Sequence, residues 1–354
     1  MTSRELITRA IDRRPAERIP LTDISFWPDT IARWEREGLP VGADVYEHFG
    51  LDRIFFWYDD DSPRLEERVV EEDEESVTVS DGYGCVVRSW KNSYAPPVHL
   101  SYAIQDASEA NAYMRRYDDL PIDQVDEDTL EGYRNAAQRD DFIAVTPLEP
   151  AWFVISKLLG FEQGLTSFVE HPKEIDAAMR RLMEHSLSRI EWLIDSMGLK
   201  FDGLWFSADL CFKNGMLFSP KVYRELIQPI HREYKKFCDE HGMFLMLHCD
   251  GDVREFIPLI IESGFEVIEP LEARAGNDVR QLKPLYGDKI TFIGNINADV
   301  IANGTREQIR EEVVSKVSVA KQGGGYIYHI DHSVPPTVSY ENYRLLIETL
   351  REVM

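Results

Sequence analysis

Short apolar runs and helical patterns alternate regularly over most of the 354 residues. Apolar runs of this length, bounded by turn residues, are typical of strands buried on both faces. We place such strands at 18–25, 51–58, 142–148, 203–207, 244–249, 266–271, 290–296 and 325–331. Eight strands separated by helices predict an α/β fold, a (β/α)8 TIM barrel, rather than an open doubly wound sheet.

Residues 64–100 break this alternation. Alternating valines in RVVEEDEESVTVS, followed by the turn residues DGYG and by CVVRSW, predict a β-hairpin inserted into the barrel. The acidic run at 71–75 is interpreted as a solvated face. With this insertion included, we interpret residues 1–354 as a single barrel domain.

Charge and cysteine usage restrict the partners. Lys and Arg number 39 against 63 Asp and Glu, which gives a formal net charge of -24. Such a field disfavours nucleic acid and anionic membrane, because both are bound mainly by basic patches. The four cysteines are scattered, as in a reducing compartment. The N-terminal segment is charged, no run of about 18 apolar residues is present, and we predict a cytoplasmic protein.

The segment FLMLHCDGD, residues 244–252, carries the strongest chemical signal. Side chains alternate along a strand, so His248 and Asp250 share one face while Cys249 points into the packing. In a parallel barrel this strand end belongs to the face where active sites are built. An imidazole and a carboxylate are therefore predicted to arrive there together.

Polar groups are expected at the ends of the other strands as well. They are Asp23, Asp59, Glu149, Asp209, Glu269, Glu272, Asn295, Asn297, His329, Asp331 and His332. His248, Asp250 and His332 offer nitrogen and oxygen ligands for a divalent metal, although a histidine at a strand end can also be purely structural. We predict His248, Asp250, Asp59 and Glu149 as catalytic residues.

Substrate binding is predicted for polar and aromatic residues near the same ends. They are Asp23, Trp57, Trp152, Asp209, Glu272, Asn295, Asn297 and His329. Clustered aromatic side chains with few polar groups are typical of small-molecule sites. Other interpretations stay open: Asn295 and Asn297 tie loop backbone, Asp209 sits in a turn, and Glu149 begins a helix. Which of the three consecutive aspartates 59 to 61 points inward is also open.

The chain resembles the uroporphyrinogen decarboxylase superfamily, which includes cobamide-dependent methyltransferases. The resemblance is carried by LDRIFFWYD, HCDGDVREFIPLIIESGFEVIEPLE, ITFIGNIN and GGGYIYHIDHSVPPTVSYENY, and it runs over nearly the whole chain. It implies a (β/α)8 barrel. Asp59 matches the pocket aspartate of the decarboxylases, and His332 matches their late histidine.

The chain departs from the decarboxylases where they bind substrate carboxylates. Their arginine-rich segment after the first strand reads TDISFWPD here, with no arginine, and their pocket tyrosine falls on Ser156 or a neighbour. An acidic site without bidentate partners is a poor receptor for a polycarboxylate. The resemblance therefore favours the methyltransferase branch.

The methyltransferases bind zinc through a His-x-Cys motif and a later cysteine, at the positions of His248, Asp250 and His332. The resemblance thus implies a divalent metal, zinc first, and a corrinoid carried by a partner protein as methyl donor or acceptor for a small methylated substrate. A homodimer is the oligomer expected by analogy. Two alternatives remain: a decarboxylase acting on an electron-rich acid, with Asp59 stabilising developing positive charge, and a non-catalytic ligand-binding relative.

Overall fold

The structure, a computed structural model, describes residues 1–91 and 97–354. Its strands are β1 (Ile54–Tyr58), β2 (Arg68–Glu72), β3 (Ser76–Ser80), β4 (Val86–Trp90), β5 (Val98–Ser101), β6 (Phe142–Thr146), β7 (Gly203–Ser207), β8 (Cys211–Phe212), β9 (Gly215–Met216), β10 (Phe244–His248), β11 (Val267–Glu269), β12 (Thr291–Ile293) and β13 (Tyr326–Ile327).

The α-helices lie between and around these strands. They are α1 (Ser3–Ile11), α2 (Pro28–Glu37), α3 (Val45–Phe49), α4 (Ala110–Met114), α5 (Glu127–Arg139), α6 (Pro150–Phe153), α7 (Phe161–Glu170), α8 (Pro172–Asp195), α9 (Pro220–Val222), α10 (Gln228–His241), α11 (Ile257–Ser263), α12 (Val279–Tyr286), α13 (Ala298–Asn303), α14 (Arg306–Ala320) and α15 (Tyr340–Val353). Single π-helical turns, Val154–Leu158 and Tyr223–Ile227, directly follow α6 and α9.

The central sheet is parallel, with strand order β1-β6-β7-β10-β11-β12-β13. An eighth segment closes the ring between β13 and β1. Thr22 N donates to Tyr328 O at 3.0 Å on one side, and Asp52 N donates to Leu21 O at 2.7 Å on the other. The curled sheet confirms the predicted TIM-barrel fold, although the segment predicted as a strand at 18–25 pairs through isolated bridges only.

Alternate residues of each strand enter two different cores, as a side-chain period of two requires. Inside the barrel, Phe142, Trp205 and Met246 pack together with Ile7 and Ile11 of α1. Their neighbours, such as Ile143 and Leu245, join the larger cluster between sheet and helices. Helix α1 thus packs into the barrel interior, and its last turn accepts a hydrogen bond from Gly325 N, just before β13, at Ala10 O.

The predicted hairpin is part of a larger unit. Strands β2 to β5 form a four-stranded antiparallel sheet in sequential order. Asp81 makes the predicted turn between β3 and β4, since its carboxylate accepts from Tyr83 N and Cys85 N. The acidic run is a second turn rather than only a solvated face, because Asp73 accepts from Glu75 N and Ser76 N. The insertion therefore has more strands than its alternating valines indicated.

Candidate active site at the barrel mouth

A cavity of about 320 Å³ lies at the end of the barrel to which the strands' C-termini point, which we call the mouth. Its walls come from β1, β7, β10 and β11, from the segment that closes the ring between β13 and β1, and from the residues that follow β13. The lining residues are Ile24, Ser25, Phe56, Tyr58, Trp205, Ser207, His248, Asp250, Glu269, Pro270, His329, His332 and Ser333. These described lining residues include three imidazoles and two carboxylates but no lysine or arginine.

His248 and Glu269 form the central pair of the mouth. They stand directly opposite each other in the register of the parallel strands β10 and β11. The Nδ1 atom of His248 lies 2.5 Å from Glu269 Oε2. Burial alone would lower the pKa of His248, but the charge of Glu269 and its hydrogen bond, with Asp250 and Asp209 nearby, raise that pKa to about 10. These contacts favour the imidazolium form of His248, with both ring nitrogens protonated, at neutral pH.

The other nitrogen of His248 faces two further carboxylates. Its Nε2 lies 3.6 Å from Asp209 Oδ1 and 4.0 Å from Asp250 Oδ2. The backbone of Asp250 donates to Asp209 Oδ1 at 3.0 Å, which holds the two acids together. Burial raises the pKa of Asp250 to about 6, against the opposing charge of His248. Asp250 Oδ1 is buried and has no hydrogen-bond partner.

His332 forms a second polar group on the other side of Asp250. Its Nδ1 lies 3.5 Å from Asp331 Oδ1, and the hydrogen bond with Asp331 raises the pKa of His332. Glu272, in the loop after β11, accepts from Gly251 N at 2.9 Å. Ligand atoms of Asp250, Glu272 and His332 all lie within 4.8 Å of one another. Atoms of Asp209, His248 and Asp250 do the same.

His329 completes the polar wall. It is 2% exposed, and its Nδ1 lies 3.9 Å from Glu269 Oε1. Its Nε2 is buried and has no hydrogen-bond partner. A buried polar atom without a partner is unfavourable in the protein alone, so a ligand in the cavity would gain by bonding to it.

The mouth gathers six of the residues that the sequence predicts as functional: His248, Asp250, Asp209, Glu272, His329 and His332. The predicted metal set of His248, Asp250 and His332 is divided, however. The two histidines belong to different groups of possible ligands, and Asp250 belongs to both.

Asp59 and Trp57 lie outside the mouth cavity, contrary to the prediction. Arg189 holds Asp59 with two hydrogen bonds, at 2.6 and 3.1 Å, so that its charge is already paired. Trp57 points from the sheet toward the helices, where its ring contacts Tyr133 and Phe201. The alternation of side chains along β1 turns Trp57 away from the barrel axis, and the contact with Arg189 holds Asp59 outside the cavity.

Glu149 and Trp152 also lie outside the cavity. Glu149 is fully buried and begins helix α6, since its Oε2 accepts from Trp152 N at 2.6 Å. Its Oε1 lies 2.9 Å from His231 Nε2. Trp152 packs partly buried against the outer core. The alternative interpretation of Glu149 as a helix start is therefore the one that the structure supports.

Asp23, Asn295 and Asn297 have structural partners instead of facing the cavity. Asp23 is buried and accepts from Tyr328 OH, Tyr343 OH and Ile330 N, and burial raises its pKa. Asn295 ties three loop segments together through Val279 N, Leu271 O and Asn277 O. Asn297 caps helix α13. The structure supports the alternative interpretation that Asn295 and Asn297 bond to loop backbone rather than line the cavity.

Glu269 and Asp331 have roles that strand-end reasoning did not assign. Each carboxylate lies beside Nδ1 of a mouth histidine, and this contact orients the ring. The signal for Glu269 is the strand register, which a single sequence does not reveal.

The residues present fit a divalent metal. They supply imidazole nitrogens with orienting carboxylates, several carboxylate oxygens, and one buried carboxylate oxygen that lacks a partner. Imidazole and carboxylate donors favour harder ions than a set that contains thiolates would.

A parallel barrel with a polar, concave site at the C-terminal ends of its strands is the architecture of barrel enzymes. The chain belongs to the uroporphyrinogen decarboxylase (URO-D) family, an enzyme family, because the family model matches residues 144–353.

Curated relatives carry the name of the same family, and a solved structure shares the fold. Uroporphyrinogen decarboxylase of Pseudoalteromonas translucida (strain TAC 125) is 25% identical over 135 residues, which are 34% of this chain and 37% of that protein. The Legionella pneumophila (strain Corby) protein of the same name is 30% identical over 76 residues, 22% of this chain and 21% of its own length. The matched segments thus span well under two thirds of these relatives. A methyltransferase from Methanosarcina mazei shares the fold, with TM-score 0.66, 15% identity and 99% of both chains covered.

Within residues 1–91 and 97–354, no helix combines the length and apolar character that crossing a bilayer requires.

Proposed function

We propose that the chain is a methyltransferase-type member of the family, which moves a methyl group between a small methylated substrate and a corrinoid carried by a partner protein. The observation that carries the proposal is the His248 imidazole, held by Glu269 at Nδ1 and facing Asp209 and Asp250 at Nε2. The fold shared with the Methanosarcina methyltransferase agrees with it.

The mouth residues provide the chemistry that such a transfer needs. When a methyl group leaves an oxygen, nitrogen or sulfur atom, that heteroatom keeps the electron pair of the broken bond and takes up a proton. Protonated His248 supplies that proton from Nε2 while Glu269 holds the ring, and solvent restores it afterwards. Phe56, Tyr58 and Trp205 wall the cavity with apolar surface suited to a small organic substrate.

A divalent cation held by His248 and Asp250 would act as a Lewis acid that activates the substrate heteroatom. A proton and a cation compete for the same Nε2 atom, so His248 serves either as acid or as ligand. In the ligand role, Glu269 orients the imidazole and increases its basicity.

A decarboxylase is the second candidate, since the curated relatives carry that name. Two observations disfavour it. The described lining of the cavity has no arginine or lysine to hold substrate carboxylates. Asp59, the residue expected to stabilise positive charge, is paired with Arg189 outside that cavity.

The test begins with elemental analysis of protein purified without chelator or affinity metal, beside His248→Ala. The exposed His48, which is distant from His248 in the sequence, provides the matched control His48→Ala. We expect bound zinc, iron or manganese in the parent and in His48→Ala and its loss in His248→Ala.

Methylated alcohols, amines and thiols are then screened with a reduced corrinoid, whose absorbance reports methylation. A metal-free parent that takes up no added ion, or metal that persists in His248→Ala, overturns the metal assignment; failure of all substrates while known methyltransferases succeed counts against methyl transfer.

A further inference from the structure

We propose that the mouth binds two divalent cations, bridged by the carboxylate of Asp250. Asp209 and His248 hold the first cation, and Glu272 and His332 hold the second. This inference rests on the metal site of the proposed function and extends it to a second ion.

The spacing of the ligand atoms points to two ions. In each group, one atom from every residue lies within 4.8 Å of the others. Metal–ligand bonds near 2.0–2.2 Å place the ligands of one ion about 3 to 4.5 Å apart, so each group is the size of one coordination sphere. The described residues hold no such group that contains both His248 and His332. Asp250 alone belongs to both, and a carboxylate has two oxygens with which to bridge.

The state of Asp250 is an independent observation. Its Oδ1 is buried without a hydrogen-bond partner. Its Oδ2 lies 4.0 Å from His248 Nε2, too far for a hydrogen bond. The Asp250 side chain is 37% exposed, so solvent reaches the carboxylate, but the buried Oδ1 is costly without a partner. A cation at Oδ1 would satisfy that atom, and Oδ2 is left for a second cation. The fully buried His329, whose Nε2 also lacks a partner, lines the same cavity.

Both histidines are oriented in the same manner. Glu269 lies beside Nδ1 of His248, and Asp331 lies beside Nδ1 of His332. Asp331 is itself fixed by Ala273 N at 2.9 Å and Ala298 N at 2.8 Å. A carboxylate at one ring nitrogen with the other nitrogen left for a metal is the usual second shell of a histidine ligand. The mouth contains a carboxylate beside Nδ1 of a histidine twice, once in each group of possible ligands.

The charge balance agrees with two cations. The two groups contain three carboxylates, and Glu269 and Asp331 add two more. Arg274, the cation near Glu272 and Asp331, is paired with Asp299. Mixed imidazole and carboxylate ligands suit Mn²⁺, Fe²⁺ or Zn²⁺.

The experiment uses the full chain stripped with chelator, reloaded with Mn²⁺, and freed of excess ion. Metal per chain is measured by elemental analysis, and electron paramagnetic resonance reports whether the ions are coupled. We expect two Mn²⁺ per chain with an exchange-coupled spectrum. Asp209→Asn and Glu272→Gln should each leave one tightly bound ion with an uncoupled six-line spectrum, and Asp250→Asn should weaken both binding steps by at least about 100-fold, beyond the usual effect of an outer-shell change.

Asp252→Asn is the matched control, because Asp252 lies two residues from Asp250 but pairs with Arg254 outside both groups. It should keep two coupled ions. One Mn²⁺ per chain in the parent overturns the second site and leaves the metal of the proposed function standing. No bound Mn²⁺, Fe²⁺ or Zn²⁺ overturns both, and two uncoupled ions that survive Asp250→Asn overturn the bridge. Near-identical circular dichroism of the variants shows that folding is not the cause.

Discussion

Asp61 is a single carboxyl group that makes the stability of the protein depend on pH. It is 6% exposed, and its oxygens accept from Leu148 N at 2.7 Å and Ser186 Oγ at 3.2 Å. Burial, together with the charge of Asp59, raises its pKa to about 7, whereas an unfolded aspartate has a pKa of about 3.9. Between these values the folded state holds a proton that the unfolded state has lost. Stability from this group is complete below about pH 4 and is lost as pH rises through 7.

Asp61→Asn removes this titration and keeps the shape of the side chain. We expect the free energy of unfolding of the variant, relative to the parent, to increase from pH 5 to pH 8 by about 1–3 kcal/mol. Urea unfolding at several pH values measures the difference. The exposed Asp119 supplies the control Asp119→Asn, whose difference from the parent should stay constant. A constant difference for Asp61→Asn as well would show that this carboxyl group does not titrate as proposed.

The three consecutive aspartates show what the sequence leaves undecided at this scale. Strand β1 ends at Tyr58, so the alternation that assigns faces ends before them. Asp59 pairs with Arg189, Asp60 is exposed, and Asp61 is buried. The partner Arg189 lies 130 residues away, and no local pattern reveals it. His248 and Asp250 were predictable together because they lie two residues apart at a strand end.

At the scale of elements, a buried polar chain joins helices outside the barrel. Glu149 begins α6 and contacts His231 of α10; His231 Nδ1 lies 3.0 Å from Tyr223 OH, which lies 2.8 Å from Ser263 Oγ of α11. Glu149→Ala removes the helix cap and leaves His231 Nε2 without a partner in the core. We expect a loss of about 3–5 kcal/mol in the free energy of unfolding.

Glu149→Gln is the matched variant, because its amide oxygen still accepts from Trp152 N and its amide nitrogen stays within hydrogen-bonding distance of His231 Nε2. We expect the free energy of unfolding of this variant to fall by less than about 2 kcal/mol. Urea unfolding compares the two, and elemental analysis should show parental metal content in both, since Glu149 lies outside the mouth. Equal losses for both variants would contradict the network, and reduced metal in a folded variant would restore the catalytic interpretation of Glu149.

Elements were predictable where the signal is repeated along the chain. The apolar runs locate the strands of the central sheet because burial on both faces makes them continuous. Short helices such as α3 and α13 are not predictable in this way, since five or six residues contain too little periodicity. Pro150 at the first helical position is the signal that identifies Glu149 as a cap, and it competed with the pocket interpretation, which we favoured from the sequence alone.

At the scale of the whole molecule, the barrel is closed by contacts between distant parts of the chain. Thr22 bonds to Tyr328, 306 residues later, and this pairing determines which strands become neighbours. The sequence predicts eight strand segments, but it does not show that the first is held by isolated bridges. The first segment makes only isolated backbone bridges to its neighbours, so side-chain contacts must also hold the barrel closed.

Asp52 is the side chain that fastens this closure. It is buried, Arg18 donates to both of its oxygens at 2.6 and 2.9 Å, and its Oδ2 also accepts from Leu21 N at 2.7 Å. Asp52→Ala leaves a partly buried arginine and a buried backbone N–H without their acceptor, so we expect a loss of about 3 kcal/mol or more in the free energy of unfolding. Arg306→Ala is the control, since its pair with Glu341 is 61% and 78% exposed and should change stability by less than about 0.5 kcal/mol. Urea unfolding followed by tryptophan fluorescence compares the variants. If Asp52→Ala is as stable as the control, backbone pairing alone closes the barrel. If it is destabilised as expected, the Asp52 carboxylate holds the first segment in the barrel whose mouth contains the site.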